Sequence, residues 1–226
     1  MPPPPDRTRI KICGIRDAGA AHTAAEAGAD AIGFVFARSS PRFIEPADAA
    51  LIMGDLPPFL VTVGLFVDPS LDDFVGAEEQ CPTHYTQFHG AEPEPLVRQC
   101  GPDIIKAVRF NAGTIEADLA KWGRIEEVAA VLVDGSAGGM GEAFDWAALR
   151  QPAAASPKPV ILAGGLTPQN VGPAIGAVRP WAVDVSSGVE RERGVKDPAL
   201  IRAFCAAVRE ADAAGAGPEG FGSRAD

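Results

Sequence analysis

A cysteine, a histidine and an aspartate each stand at the exit of an apolar run, and all three types can move protons. Cys13 closes "TRIKIC", His89 closes "HYTQFH" and Asp134 closes "VAAVLVD". Each is a titratable side chain, and a place at a strand end makes a site role possible beside a packing one. Arg38, Arg42, Asp68 and Arg109 stand at or just beyond other such exits. Two more exits are rich in glycine: "LAGGLTPQN", with Gly164 and Gly165, and "DVSSGVE", with Asp184, Ser187 and Gly188. Glycine backbone can approach an oxyanion closely, and N–H groups exposed there bind it without a net charge. Two such turns on the last two runs point to a phosphorylated ligand. Plainer readings stand beside these. Cys13 could simply pack in a core, His89 could bond a loop, and Arg109 could be a solvated strand-end cation. Asp134 before Gly135 is a good turn residue, and Asp68 before Pro69 is read as a turn and helix-capping residue.

The elements that must position these residues alternate along the whole chain. Eight β-branched or apolar runs are strand candidates: "TRIKIC", "DAIGFVF", "LVTVGLFV", "HYTQFH", "DIIKAVRF", "VAAVLVD", "PVILA" and "WAVDVS". Between and after them lie Ala- and Leu-rich stretches of helical length, often opened by Asp, Ser, Thr or Pro and closed by Gly. Eight strand–helix units predict a parallel sheet closed into a single (β/α)8 TIM barrel, an α/β fold whose site is built where strands end and βα loops begin. The competing open, doubly wound sheet calls for Gly-x-Gly-x-x-Gly after the first strand, and "CGIRDAG" lacks it. The barrel is expected over residues 8–212, with disordered tails at 1–7 and 215–226, rich in Pro, Gly and small residues.

Composition narrows the function. In 226 residues, 46% hydrophobic and 22% charged, a sizeable core is available. A net charge of −10 argues against a nonspecific nucleic-acid binder, which needs a basic surface. One phosphate can still be held by backbone N–H groups and helix N-termini. Cys13, Cys81, Cys100 and Cys205 form no Cys-x-x-Cys pair, which favours reduced thiols over a zinc site or a disulfide scaffold. "MPPPPDRTR" has no apolar core of a signal peptide, and no run approaches the ~20 residues of a membrane span. A soluble, cytoplasmic protein without membrane or nucleic-acid partners is expected, as a monomer or homodimer.

Taken in order, "KICGI", "GADAIGFVF" with "SSPRFI", "VGLFV", "QFHG", "VDGSAGGMGEAFDW", "LAGGLTPQNV" and "DVSSGVERERGVKD" resemble the phosphoribosylanthranilate isomerase family. The likeness runs from about Lys11 to Ala207. It implies an Amadori rearrangement in tryptophan biosynthesis: N-(5′-phosphoribosyl)anthranilate becomes 1-(2-carboxyphenylamino)-1-deoxyribulose 5-phosphate, with no metal or organic cofactor. It further implies that Cys13 is the general base and Asp134 the general acid, and that Arg42 holds the anthranilate carboxylate. Gly164, Gly165, Ser187 and Gly188 match the family's phosphate loops. Asp184 is expected near the ribose hydroxyls or the anthranilate amine, and His89 at the same mouth. The base role calls for a thiol pulled down toward neutrality and the acid role for a carboxyl raised. Two residues depart from the family pattern: Met140 replaces a small polar residue, and Phe88 replaces leucine as a tolerated packing change. A histidine-pathway type phosphoribosyl isomerase would want an aspartate in place of Cys13. A silent metabolite-binding barrel would have no need of the Cys13 and Asp134 pair.

Overall fold

Each of the eight apolar runs forms a strand in the computed structural model, which describes residues 7–135 and 145–215. In chain order the barrel units are β1 (Arg9–Cys13), α1 (Ala18–Glu26), β2 (Ala31–Val35), α2 (Pro46–Gly54), β3 (Val61–Phe66), α3 (Leu71–Gln80), β4 (Tyr85–Phe88) and α4 (Glu94–Cys100). There follow β5 (Ile104–Arg109), α5 (Ile115–Gly123), β6 (Val128–Asp134), α6 (Ala147–Ala155), β7 (Val160–Ala163), α7 (Val171–Val178), β8 (Ala182–Val185) and α8 (Pro198–Ala213). The strands pair in parallel, in sequence order, and β8 returns to β1 to close the barrel. Between β8 and α8 lie a 3-10 turn at Ser187–Val189 and a small antiparallel hairpin of β9 (Glu190–Glu192) and β10 (Val195–Lys196).

Alternation along the strands explains where the core lies. Successive side chains of a strand point to opposite faces, so one set fills the barrel and the other meets the helices. Val63, Ile105, Leu132, Ile161 and four alanines form the inner cluster. Ile10, Ile12, Phe34, Val131 and Val133 join the larger cluster shared with the helices. Phe88 belongs to that outer layer, fully buried, with its ring 6.3 Å from Phe66 and 6.0 Å from Phe74. Phenylalanine there extends a cluster of tilted aromatic rings, a packing gain of about 0.5–1.5 kcal/mol per pair beyond area burial.

Three helix starts, those of α1, α3 and α8, follow side-chain cap signals. Asp17 accepts from Ala20 N–H, Ser70 from Asp73 N–H, and Asp197 from Ala199 and Leu200 N–H, each satisfying donors that lack an intrahelical partner. Asp68 therefore does not cap α3. It sits in the left-handed region at φ 46° and accepts from Ala91 N–H at 2.7 Å, tying the β3 loop to the β4 loop. Arg7, placed with the N-terminal tail from sequence, forms a two-point pair with Asp30. Among the described residues, no helix is long and apolar enough to cross a membrane.

Candidate active site

The C-terminal ends of the strands enclose a cavity of about 280 Å³. Eight of the nine sequence-predicted site residues line it: Cys13, Arg42, His89, Asp134, Gly164, Gly165, Asp184 and Ser187. β1 and β6 are separated by β7 and β8 on the shorter arc of the ring, so Cys13 and Asp134 approach the cavity from different sides.

Cys13 is buried among Val35 and Leu65, which offer a thiolate no hydrogen bond from their side chains. Lys11 lies two residues earlier on the same face of β1, and its ammonium donates to Asp184 Oδ1 at 2.9 Å. Both members of that pair are nearly solvent-free, at 4% and 8% side-chain exposure. Burial alone disfavours the Lys11 ammonium, but the carboxylate of Asp184 and the sulfur of Cys13 outweigh it and raise its pKa. The thiol differs from the sequence expectation. Burial pushes the Cys13 pKa up and Asp184 adds to the rise, while the ammonium groups of Lys11 and Lys196 pull against it. Cys13 is thus held above its ordinary value, because lost solvation outweighs its two cationic neighbours.

Asp134 is the last residue of β6, and its Oδ2 lies 3.1 Å from His89 Nε2. On the other side of the ring, His89 Nδ1 lies 2.9 Å from Gln87 Nε2. With the Gln87 amide donating to Nδ1, the ring proton stands on Nε2 and is donated to an ionised Asp134. With the amide reversed, Nδ1–H donates to the amide oxygen and Nε2 accepts from a protonated Asp134. The two arrangements differ by one proton on Asp134, so the row of three can hold the carboxyl in either state. Gln87 was not singled out from the sequence, although it lies inside the quoted "QFHG" and two residues from His89.

Arg42 lies beyond β2, and its side chain crosses Gly14. A methyl on Gly14 would stand 2.7 Å from Arg42 Cδ, and φ at Gly14 is 80°, so glycine is required twice over. The guanidinium is not a bare cation facing the cavity. Nε and Nη2 donate to the two carboxylate oxygens of Glu190 at 2.6 and 2.9 Å, a bidentate pair. Lys196 donates to the same carboxylate at 2.9 Å and to the Ser186 carbonyl at 2.9 Å. Ser186 Oγ in turn donates to the Cys13 carbonyl at 3.1 Å. Burial works against the Glu190 carboxylate, but hydrogen bonds from Arg42 and Lys196 hold its pKa down at about 2. Glu190 and Lys196 were likewise not picked out as site residues. Their signal was their place within "DVSSGVERERGVKD".

The glycine turns face each other across β7 and β8. Gly164 and Gly165 have φ of 92° and 66°, and Asn170 braces the turn by donating to the Gly165 carbonyl at 2.9 Å while accepting from Thr167 N–H at 2.7 Å. Gly188 does not line the cavity. A methyl there would overlap the Leu166 carbonyl oxygen and stand 2.9 Å from its carbon. Its smallness instead lets the Ser187 turn close on the Leu166–Thr167 turn.

A family model described as N-(5'phosphoribosyl)anthranilate (PRA) isomerase matches residues 10–207. The chain belongs to the phosphoribosylanthranilate isomerase family. Curated relatives carrying that enzyme name include the protein of Leptothrix cholodnii, 46% identical over 213 residues, 92% of this chain and 94% of the relative. The Moorella thermoacetica protein is 48% identical over 208 residues, covering 90% and 91%. Among solved structures, the Thermotoga maritima phosphoribosyl anthranilate isomerase superposes with a TM-score of 0.82 at 38% identity, covering 90% of this chain and 99% of that one. A phosphoribosyl anthranilate isomerase in complex with reduced 1-(o-carboxyphenylamino)-1-deoxyribulose 5-phosphate superposes at 0.79, also at 38% identity, covering 90% and 99%.

Arg38 is exposed and paired with Glu45 at 2.8 Å, and Arg109 ends β5 on the surface without lining the cavity. Met140 lies outside the described residues.

Proposed function

We propose that this chain converts N-(5′-phosphoribosyl)anthranilate to 1-(2-carboxyphenylamino)-1-deoxyribulose 5-phosphate, as an isomerase of tryptophan biosynthesis acting without a cofactor in the cytoplasm. The observation that carries the reading is the meeting of Cys13 and Asp134 across one cavity, with glycine turns on one side and a paired arginine on the rim. The phosphate lies between the Gly164–Gly165 and Ser187–Gly188 turns, bound by backbone N–H groups. The anthranilate carboxylate lies toward Arg42, whose orientation Glu190 sets.

Asp134, protonated and hydrogen-bonded to His89, gives its proton to the ring oxygen as the furanose opens to a Schiff base. The Cys13 thiolate then takes the proton from C2, and the electron pair of that C–H bond moves into the enolamine, discharging the imine nitrogen. Tautomerisation gives the ketone. The cationic imine beside Cys13 favours the thiolate at the step that needs it, offsetting the burial that raises the thiol. Asp184 reaches the ribose hydroxyls or the anthranilate amine from the floor of the cavity. The protein acts as a monomer or a homodimer; a Thermotoga maritima relative is described as dimeric.

The test generates phosphoribosylanthranilate in situ and follows loss of its anthranilate-type fluorescence. Cys13→Ala is expected to lower turnover by ~10²–10⁴-fold, the usual range for a lost general base, while still binding a reduced product analogue. Wild-type protein without turnover above background, or an alanine variant of near wild-type rate, defeats the proposal.

A further inference from the structure

The reaction needs Cys13 as a thiolate, yet Cys13 sits in an apolar pocket. Val35 and Leu65 pack against it from β2 and β3. The charged groups acting on the sulfur are three: Lys11 from β1, Asp184 from β8 and Lys196 from β10. Lys196 is already engaged by Glu190 and Ser186. Lys11 is different, because its ammonium and the sulfur converge on one spot. A methyl placed on Gly33 of β2 would stand 3.0 Å from Cys13 Sγ and 3.3 Å from Lys11 Nζ. The space that glycine leaves is shared by the two side chains, and Cys13 pairs with Gly33 directly across the sheet.

We infer that Lys11 is a positioning residue for the base: its ammonium, held inward by Asp184 and admitted by Gly33, sets the fraction of Cys13 present as thiolate. This rests on Cys13 being the base. Lys11 does not touch substrate in this scheme and transfers no proton. The proton lost when Cys13 ionises goes to water, and the fixed positive charge stabilises the sulfur anion left behind. Asp184 has two opposed effects. It keeps Lys11 charged and in place, and it repels the thiolate. A lysine on the inward face of a barrel strand, where its own desolvation is unfavourable, is thereby accounted for by what it does to the residue two positions later.

The opposed signs give the test. The rate of Cys13 carboxamidomethylation by iodoacetamide is measured from pH 6 to 10 by mass spectrometry of the peptide containing Cys13, in the intact protein without substrate. Lys11→Met should raise the apparent pKa of Cys13 by about one unit or more, the effect of removing a nearby opposite charge. Asp184→Asn should lower it, because Cys13 becomes the counter-charge of Lys11. Both substitutions break the same ion pair, so a purely structural role for that pair moves both profiles in one direction. Shifts of the same sign, or none for Lys11→Met, overturn the inference. Should Lys11→Met fail to fold, the double variant Lys11→Met/Asp184→Asn removes both buried charges, and its Cys13 pKa must lie above that of Asp184→Asn alone. Turnover is measured separately on the wild-type protein. Opposed alkylation shifts without isomerase activity would refute the proposed reaction, and with it a base for Lys11 to position, leaving only its control of Cys13 ionisation; activity with parallel shifts would leave the reaction and refute that control.

Discussion

Replacing Glu190 by Gln removes the charge that two cations share. Glu190 is 5% exposed and Lys196 1%, so the substitution strands a buried ammonium, while Arg42 at 22% can still turn to water. Breaking a buried pair by removing one partner costs about 3–5 kcal/mol. The partial exposure of Arg42 places this site at the lower end, about 3 kcal/mol. For a domain of this size each kcal/mol moves Tm by roughly 2–4 °C, so a fall of about 6–12 °C is expected at pH 7. The pH dependence gives a second reading. The Glu190 carboxyl titrates at about 2 in the folded chain against an ordinary 4.5. Burial alone would raise it, and the bonds from Arg42 and Lys196 reverse that. A depressed carboxyl contributes its stability fully above the unfolded value and loses it as pH falls through the folded one. The wild-type Tm should therefore fall toward that of the variant between about pH 4.5 and pH 2. Thermal unfolding followed by circular dichroism at pH 7, 4.5, 3 and 2 measures both effects. A variant within 2 °C of wild type at pH 7, with parallel curves down to pH 2, refutes the reasoning.

Asp134→Asn keeps the shape and loses the proton, so the pH profile of the rate should lose the limb belonging to the acid; retention of both limbs and of the rate moves the acid elsewhere, with Asp184 the first candidate. Arg42→Lys cannot reproduce the two-point contact with Glu190 and should weaken an N-aryl product analogue by ~1.5–3 kcal/mol in titration calorimetry, with little change for ribulose 5-phosphate. Equal losses for both ligands would assign Arg42 to the phosphate or to the fold. Gly188→Ala meets backbone of residues 166 and 167 and must part the two glycine turns; inorganic phosphate should bind at least tenfold more weakly, and unchanged binding would mean that the turns do not act together.

The barrel was legible because its strands are continuous apolar runs, and three of its helices carry a capping Asp or Ser in sequence. Cys13, Asp134 and the glycine turns were legible as a candidate site because each stands where such a run ends. The pairing among them was not. Glu190 and Lys196 lie in "ERERGVK", a hairpin whose strands are three and two residues long and too polar for alternation to mark. Lys11 carried a usable signal, since period two along β1 puts it on the same face as Cys13, but its partner is 173 residues away. The direction of the Cys13 shift depends on how much water the closed sheet excludes, and no local pattern records that.

Closing the sheet with its last strand also orders events in time. Lys11 and Cys13 lie on the first strand of the barrel to be synthesised, while Asp184 and Ser186, which hold them, come 173 positions later. At translation rates of ~5–20 residues per second, roughly nine to thirty-five seconds separate the two ends of this seam. Over that interval β1 lacks one of its two neighbours, and the entropy of closing so long a loop is still to be met. A shortened product ending before β8 therefore contains both proposed proton-transfer residues without the wall that sets them in place. The residue proposed as the base is the first part of the pocket to be made and among the last to be enclosed.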